Sequence, residues 1–392
     1  LNRQLVLRIL KMRIAIFYLL TLTVVIADEL QQFQDSNLHF ASDIYKKIST
    51  KNDDNFIVCP LSAQVILSLA TVGARKATAK QLSNCLHLPE DLSKIKNIFE
   101  KVNKNLENKQ LYKFISANKI FLNNKCSIKK EFKDIAINSF KAGIENVNFE
   151  DTKTTVEQIN NWVENTTNNK IKNLITEESI DNPDLTAILI NALYFEGYWL
   201  YEFGDSLGYI QKFYTGKNET TEFYAMTQRN DFNYYYNEEI RAEFLELPFV
   251  GNDVTMTFVL PKDKDGISEL EKHILTILSP QPLELSDVMV TLPIFKTESR
   301  IQFKEILESL GVTEPFTSDA NFNGISDVPL YISDVIQKTF IEINERGATA
   351  AAATEIMLMM ESMPSVFFNA NHPFIYFLKH KVYGILFVGR FS

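Results

Sequence analysis

Hydrophobic positions follow different periods in the two parts of the chain. Residues 61–70 are almost continuously apolar and residues 92–106 carry apolar side chains at helical spacing, so both segments predict helices. Beyond residue 185, short apolar runs rich in β-branched and aromatic residues predict strands at residues 186–190, 254–260 and 385–388. Because helices dominate residues 30–175 and strands follow, the pattern indicates the α+β class.

The segment at residues 345–360 has a pattern that suits neither a stable helix nor an ordinary strand. Four consecutive alanines favour a helix, whereas the apolar residues 356–360 that follow require burial. With a period of two, one face of the segment consists of Ala348, Ala350, Ala352, Thr354, Ile356 and Leu358. Small residues at the start of this face would let it enter a sheet between two strands, and Gly347 has the backbone freedom to begin that movement. We interpret the segment as one with two conformations; the alternative is an exposed helix with an apolar end.

The composition predicts one large globular domain behind a targeting segment. The chain has 392 residues, of which 45% are hydrophobic, enough for a large core. An apolar run that follows Met12 and Arg13 and ends in Ala27 is typical of a signal peptide at residues 12–27, and therefore of a secreted, extracellular protein. Residues 1–11 begin with Leu and are interpreted as upstream sequence or an expression-vector remnant. No repeat or flexible linker divides residues 28–392, which we expect to form a single domain.

Charge, cysteines and sequons narrow the class further. Residues 1–27 hold four basic residues and no acidic one, so without them the formal charge moves from −9 to −13. So acidic a protein is not expected to bind nucleic acid. Cys59, Cys85 and Cys126 allow at most one internal disulfide, and their pairing stays open. Asn165 and Asn218 begin glycosylation sequons.

One segment is basic within this acidic chain. Residues 88–141 contain twelve lysines and six acidic residues, a local excess of +6. One interpretation is a solvated helix face, since the lysines are interspersed with acids. The other is a binding site for a polyanion such as a sulfated, heparin-like glycan. The candidate polyanion-binding residues are Lys94, Lys96, Lys101, Lys104, Lys129, Lys130 and Lys133.

The motifs of common enzyme classes are missing from the sequence. It contains no HExxH zinc motif, GxSxG nucleophile elbow, GxxxxGK phosphate loop or strand-linked GxGxxG. His372 precedes Pro373 and fits a structural role in an extended segment better than a catalytic one. We therefore expect neither an enzyme nor a metal site nor a bound cofactor.

Motifs in order along nearly the whole chain resemble the serpin family. Residues 345–354 resemble the proximal hinge of inhibitory serpins, and residues 191–199 (NALYFEGYW) resemble the strand and turn that lead to the breach, where the reactive loop first inserts. The other matching segments are residues 55–62, 73–78, 162–171, 245–249, 330–333, 340–345, 372–374 and 386–390. In its amino-acid sequence the chain is similar to invertebrate haemolymph serpins.

This resemblance implies a fold and an activity. The fold would have three β-sheets, eight or nine helices and an exposed reactive-centre loop at about residues 345–364. A target serine protease would cut the loop and stay attached as a covalent acyl complex while the loop inserts into the central sheet. We expect a monomer without membrane attachment that regulates an extracellular protease cascade of innate immunity. The alternative is a non-inhibitory serpin acting as a carrier, storage or chaperone protein.

The resemblance also assigns sites. Family spacing from Glu345 places the reactive bond at Glu361–Ser362, with Met360 and Met363 as alternatives. The hinge residues would be Glu345, Gly347, Ala348, Ala350, Ala352 and Thr354. The shutter, the site beneath the inserting strand, would comprise Cys59, Ser62, Asn191 and Gln337. The chain departs from the family here, since a serine is usual at Cys59 and a histidine at Gln337.

Overall fold

The computed structural model describes residues 29–51, 53–106, 111–182, 184–204, 209–215, 219–348 and 363–392, without the side chains of residues 103–106. Nine α-helices lie within these ranges. They are α1 (residues 29–49), α2 (Pro60–Gly73), α3 (Lys76–Cys85), α4 (Leu92–Leu106), α5 (Lys130–Asn138), α6 (Thr152–Thr166), α7 (Ile267–Glu271), α8 (Ile274–Leu278) and α9 (Lys304–Ser309). Short 3₁₀ helices lie at Glu177–Ser179 and Glu314–Phe316. The helices expected at residues 61–70 and 92–106 are confirmed.

The described strands form a six-stranded and a nine-stranded sheet. The six-stranded sheet contains β2 (Tyr112–Asn123), β3 (Gly143–Val147), β4 (Ala187–Tyr198), β10 (Phe295–Gln302), β11 (Ile332–Ile343) and β12 (Gly347–Ala348). The nine-stranded sheet contains β1 (Phe56–Val58), β5 (Tyr209–Tyr214), β6 (Thr220–Asn237), β7 (Ala242–Pro248), β8 (Val254–Pro261), β9 (Glu284–Pro293), β13 (Val366–Asn369), β14 (Phe374–His380) and β15 (Gly384–Phe391). The α+β class is confirmed, and strands cover all three segments in which the sequence predicts them.

The expected three sheets appear as two because one strand is long enough to serve two of them. Strand β6 has 18 residues. Its first part pairs with β5, its middle with β9 and its last part with β7. The two smaller sheets are therefore continuous through β6. The first half of the chain is also less helical than expected, since it contributes β1, β2 and β3.

The strand order of the six-stranded sheet is β10-β11-β4-β2-β3, with β12 also pairing with β4. Its central strand β4 is buried on both faces over most of its length. On β4, Leu189, Leu193 and Phe195 join the main core, in which α2 lies. The alternate residues Ile188 and Ile190 join a second core with α6. Helix α2 is wholly buried and contacts β2 and β4 of this sheet and β15 of the other. In the described part of the chain no helix is long and apolar enough to cross a membrane.

Candidate functional site

Strands β4 and β11 pair over most of their length and then separate. Their parallel pairing runs from Ile332 opposite Ala187 to Phe340 opposite Tyr194. Beyond Tyr194, toward the C-terminal end of β4, β12 pairs antiparallel with β4, with Gly347 opposite Tyr198 and Ala348 opposite Gly197. The six-stranded sheet therefore has a gap at one end, and the first residues of the hinge lie in it.

A tight turn carries the chain from β11 into β12. The Asn344 amide donates to the Gly347 carbonyl at 2.9 Å, and the Gly347 amide donates back to the Asn344 carbonyl at 3.1 Å. The Asn344 side-chain oxygen also accepts from the Arg346 amide at 3.0 Å. This side-chain bond within the turn is a common role of Asn. Because the turn is closed on itself, β12 runs antiparallel to β11 as well as to β4.

Trp199, which follows β4, holds this turn in place. Its indole Nε1 donates to the Asn344 carbonyl at 3.0 Å. Its backbone amide donates to the Arg346 carbonyl at 3.0 Å, and the Phe203 amide donates to the Glu345 carbonyl at 2.8 Å. The indole ring stacks on Phe249 with centroids 4.4 Å apart. The breach is therefore a packed aromatic site from which three donors fix the start of the hinge.

Gly347 meets two separate requirements that exclude a side chain. Its φ is +131°, a conformation that residues with a side chain rarely adopt. A Cβ at this position would lie 2.3 Å from the Gly197 carbonyl oxygen and 2.8 Å from the Tyr198 Cα. Both atoms belong to the backbone of β4, so neither can move aside cheaply. The glycine allows the hinge backbone to lie directly against β4.

The structure describes only part of the hinge and loop. Ala348 is fully buried, at 0% exposure, and Glu345 is half-buried. Met363, one alternative for the reactive bond, is 85% exposed. Ala350, Ala352, Thr354, Met360, Glu361 and Ser362 lie outside the described residues.

The structure brings together the four residues expected to form the shutter, with Asn191 on β4 and Gln337 on β11. The Gln337 amide nitrogen donates to the Cys59 carbonyl at 3.0 Å and to Asn191 Oδ1 at 2.5 Å. Its oxygen accepts from the Cys59 amide at 2.8 Å and from Thr339 Oγ1 at 3.1 Å. Asn191 Nδ2 in turn donates to Ser62 Oγ at 2.5 Å. Gln337 thus uses both of its donors and two acceptor positions.

Sequence reasoning missed three members of this network, Ser116, Asn118 and Thr339. Asn118 accepts from Asn191 Nδ2 and from Ser62 Oγ, and Ser116 Oγ lies 2.9 Å from Ser62 Oγ. Asn118 is opposite Asn191 in the pairing of β2 with β4, so a polar row crosses the sheet. The available signal was the pair of polar residues two positions apart in the otherwise apolar part of β2.

All three cysteines are free thiols in the structure as described, and all are buried. Burial raises the pKa of the Cys59 thiol far above its usual value, and the backbone amides of Ser62 and Leu61 offset only part of this effect. Burial also raises the pKa of Cys126, and together with the nearby Asp43 carboxylate it raises the pKa of Cys85 to about 12. These groups are therefore neutral near pH 7 and fill space.

The candidate polyanion-binding lysines do not share one environment. Lys101 pairs with Glu29 of α1, and Lys129 Nζ pairs with Asp327 at 2.6 Å. Lys94, Lys130 and Lys133 are exposed, Lys96 is half-buried, and the Lys104 side chain lies outside the description. Of the sequon residues, Asn165 is exposed near the end of α6, whereas Asn218 lies outside the described residues.

Comparison with known proteins identifies the family to which the chain belongs. A family model described as serpin (serine protease inhibitor) matches residues 35–392. The chain belongs to the serpin family. Human serpin B4 is 31% identical to it over 93% of this chain and 100% of its own length. Antichymotrypsin-2 of Bombyx mori is 32% identical over 88% of this chain and 94% of its own.

A solved serpin has the same fold. The crystal structure of Serpin48, described as a highly specific serpin in the insect Tenebrio molitor, aligns with a TM-score of 0.87 and 35% identity. The alignment covers 92% of this chain and 98% of that chain. The serpin fold is therefore shown for nearly the whole chain.

Proposed function

We propose that this serpin is a suicide-substrate inhibitor of serine proteases. The observation that carries the proposal is the position of Ala348, which is buried in the gap and already paired with Gly197 of β4. The first inward residue of the hinge has therefore entered the sheet, and the rest of the loop follows it in sequence.

The pairing of β12 defines the register that the loop would take on insertion. Gly347 lies opposite Tyr198 and Ala348 opposite Gly197, so continuing the strand would bring Ala350 to Phe195, Ala352 to Leu193 and Thr354 to Asn191. Residues directly opposite each other in a sheet point to the same face. The small residues would thus meet the large apolar ones of β4, and Thr354 would meet the polar Asn191.

The same register explains why the shutter must open. Gln337 is opposite Asn191 in the present sheet, and their side chains are hydrogen-bonded. An inserted strand would separate them and break this bond. Thr354, the one polar residue on the inward face of the loop, would arrive between them with a hydroxyl group that can both donate and accept. The buried polar groups would then keep partners in both states.

Insertion would also improve the pairing of the sheet. Strands β4 and β11 are parallel, and parallel pairing is slightly less stable than antiparallel. The inserted strand would be antiparallel to both, so one parallel pair would be replaced by two antiparallel pairs. At about 3.3 Å per residue, a loop of about fifteen residues moves its attached end by roughly 50 Å. Such a displacement would pull the active site of an acylated protease out of register before the acyl bond is hydrolysed.

The residue that the target protease would recognise in the loop is proposed from family spacing. This spacing places the reactive bond at Glu361–Ser362, and a glutamate before the bond suits a protease with a basic specificity pocket. Met360 or Met363 before the bond would suit a protease with an apolar pocket. The exposure of Met363 is compatible with a loop that a protease can reach. We further propose secretion, on the basis of the apolar run at residues 12–27, and a role in an extracellular protease cascade of innate immunity. A sulfated glycan bound to the lysines of α4 and α5 could accelerate the reaction.

The first experiment mixes the purified serpin with trypsin-like, chymotrypsin-like, elastase-like and glutamate-specific serine proteases. We expect an SDS-stable complex with at least one of them and a released C-terminal peptide that begins at Ser362. Cleavage across the panel and by candidate physiological proteases without any complex would support the non-inhibitory alternative. A peptide that begins at Glu361 or Pro364 would instead place the reactive bond after Met360 or Met363. Elution of the serpin from a heparin column at low salt would exclude the glycan site.

A further inference from the structure

Two histidines from distant parts of the chain meet at the surface, away from the loop and the shutter. His39 lies on α1, and His87 lies in the turn that follows α3. Their ring centroids are 5.3 Å apart with an interplanar angle of 39°. Two imidazoles that bind one metal ion through nitrogens at about 2.1 Å have ring centroids roughly 5 Å apart. The separation of these two rings is thus suited to chelation.

A carboxylate is positioned behind one of the rings. His87 Nε2 lies 2.8 Å from Asp43 Oδ2. When Nε2 donates to this carboxylate, Nδ1 is left as the unprotonated nitrogen. A carboxylate that orients an imidazole in this way is the usual outer contact of a histidine metal ligand. Asp43 lies one helical turn from His39 on α1, so it belongs to the same face of the helix.

The two rings border a surface cavity that is accessible to an ion. The cavity has a volume of about 400 Å³ and is lined by both histidines, Asp35, Ser36, Gln32 and Phe33. His39 is exposed, and the side chains of His87 and Asp43 are 38% and 37% exposed. With Asp35 on the rim and Asp43 behind His87, two carboxylates surround the pair. These charges favour a cation over an anion.

We propose that His39 and His87 bind a divalent transition-metal ion, with Asp43 orienting His87. Nitrogen donors select Zn²⁺ or Cu²⁺ over Ca²⁺ and Mg²⁺. Within the described ranges no group of three or more His, Cys, Asp and Glu side chains is arranged to hold a metal ion, so water completes the coordination shell. The bound ion would join α1 to the turn that leads to α4. This inference does not depend on the inhibitory function.

The test is a titration of the full chain, produced without a histidine tag, with Zn²⁺ in a calorimeter. We expect one ion per chain. His39→Ala and His87→Asn should each weaken binding by about 10-fold or more, and Asp43→Asn should weaken it by about 10- to 100-fold. Asn is the replacement at position 87 because His87 has a φ of +51°, which Asn tolerates better than Ala. His273→Ala is the matched control and should bind Zn²⁺ as the unaltered chain does.

A second measurement counts the nitrogens and separates binding from folding. The electron paramagnetic resonance spectrum of bound Cu²⁺ should show two nitrogen donors in the unaltered chain and one in His39→Ala. Zn²⁺ should raise the unfolding midpoint of the unaltered chain and not that of either histidine variant, whose midpoints without metal should be unchanged. The proposal is overturned if Zn²⁺ does not bind, or if either histidine variant binds it with unchanged affinity.

Discussion

At the residue scale, the turn that leads into β12 depends on the absence of a side chain at Gly347. Gly347 lies so close to the backbone of β4 that a Cβ would be 2.3 Å from the Gly197 oxygen. The three hydrogen bonds donated by Trp199 and Phe203 hold the turn that precedes it. Because the backbone is fixed on both sides, a larger residue at position 347 cannot be accommodated by a small shift.

Gly347→Ala is therefore expected to expel β12 from the gap or to strain it. Backbone strain of this kind costs about 1–3 kcal/mol. We expect faster proteolysis of the loop at residues 345–350 and a lower unfolding midpoint, measured by tryptophan fluorescence in urea. Gly311→Ala is the matched control, because Gly311 also has a positive φ but its Cβ would meet no atom within 4 Å. Equal effects of both changes would show that only φ matters and that contact with β4 does not.

A second prediction at this scale concerns Gln337. Replacing it with Leu would remove partners from the amide and carbonyl of Cys59, from Asn191 and from Thr339. Each buried polar group left without a partner costs about 1–3 kcal/mol. Because neighbouring groups can rearrange and recover some of these hydrogen bonds, we expect the free energy of unfolding to fall by about 2–4 kcal/mol. Gln158→Leu, on the exposed face of α6, should change it little. A midpoint for Gln337→Leu no lower than that of the control would contradict the role of the network.

At the element scale, the decisive feature is the match between two faces. The inward face of β4 presents Phe195 and Leu193 as large residues and Asn191 as a polar one. The face of the loop that would lie beside it offers Ala350, Ala352 and Thr354 in the order required by the register of β12. Volume and polarity both fit, because small residues meet large ones and the hydroxyl meets the amide.

If the proposed inhibition holds, Ala350→Arg should convert the protein from an inhibitor into a substrate. An inward arginine would have to be buried beside Phe195 without a partner for its charge, which slows insertion and lets hydrolysis finish. The covalent complex on a denaturing gel should be lost while cleavage of the loop continues. Thr349→Arg provides the comparison, since in the same register its side chain would lie on the other face opposite the half-buried Glu196, and it should leave complex formation largely intact. If Ala350→Arg forms as much covalent complex as the unaltered chain, the insertion mechanism is contradicted.

At the scale of the whole molecule, the intact chain is expected to be less stable than the chain cut in its loop. The intact sheet keeps β4 and β11 in a parallel pair with a gap at one end. Cleavage releases the loop, which would then enter as a complete strand and bury its apolar inward face. The free energy gained in this way is the proposed source of the force on the protease.

Cleavage with a panel protease should therefore raise the thermal midpoint by about 10 °C or more, as judged from several kcal/mol of added stability. Circular dichroism of the intact and cleaved forms measures this change. The Ala350→Arg variant, cleaved in the same way, should show a much smaller rise because its strand inserts incompletely. If intact and cleaved unaltered chains unfold at the same temperature, the gap between β4 and β11 does not accept the loop.

The sequence by itself determined the fold class, the helices at α2 and α4, the strands in the second half, and the small-residue face of the hinge. These features depend on local periodicity and side-chain size, which a single segment already contains. It also brought Cys59, Ser62, Asn191 and Gln337 under consideration, though only through resemblance to a family.

Only the tertiary structure decided which residues meet. Ser116, Asn118 and Thr339 joined the shutter, and His39 met His87, because strand pairing and helix packing bring together positions far apart in sequence. The register of Ala348 against Gly197 likewise follows from the turn at residues 344–347 and its bonds to Trp199. Such contacts depend on geometry between elements, and local sequence preferences do not specify that geometry.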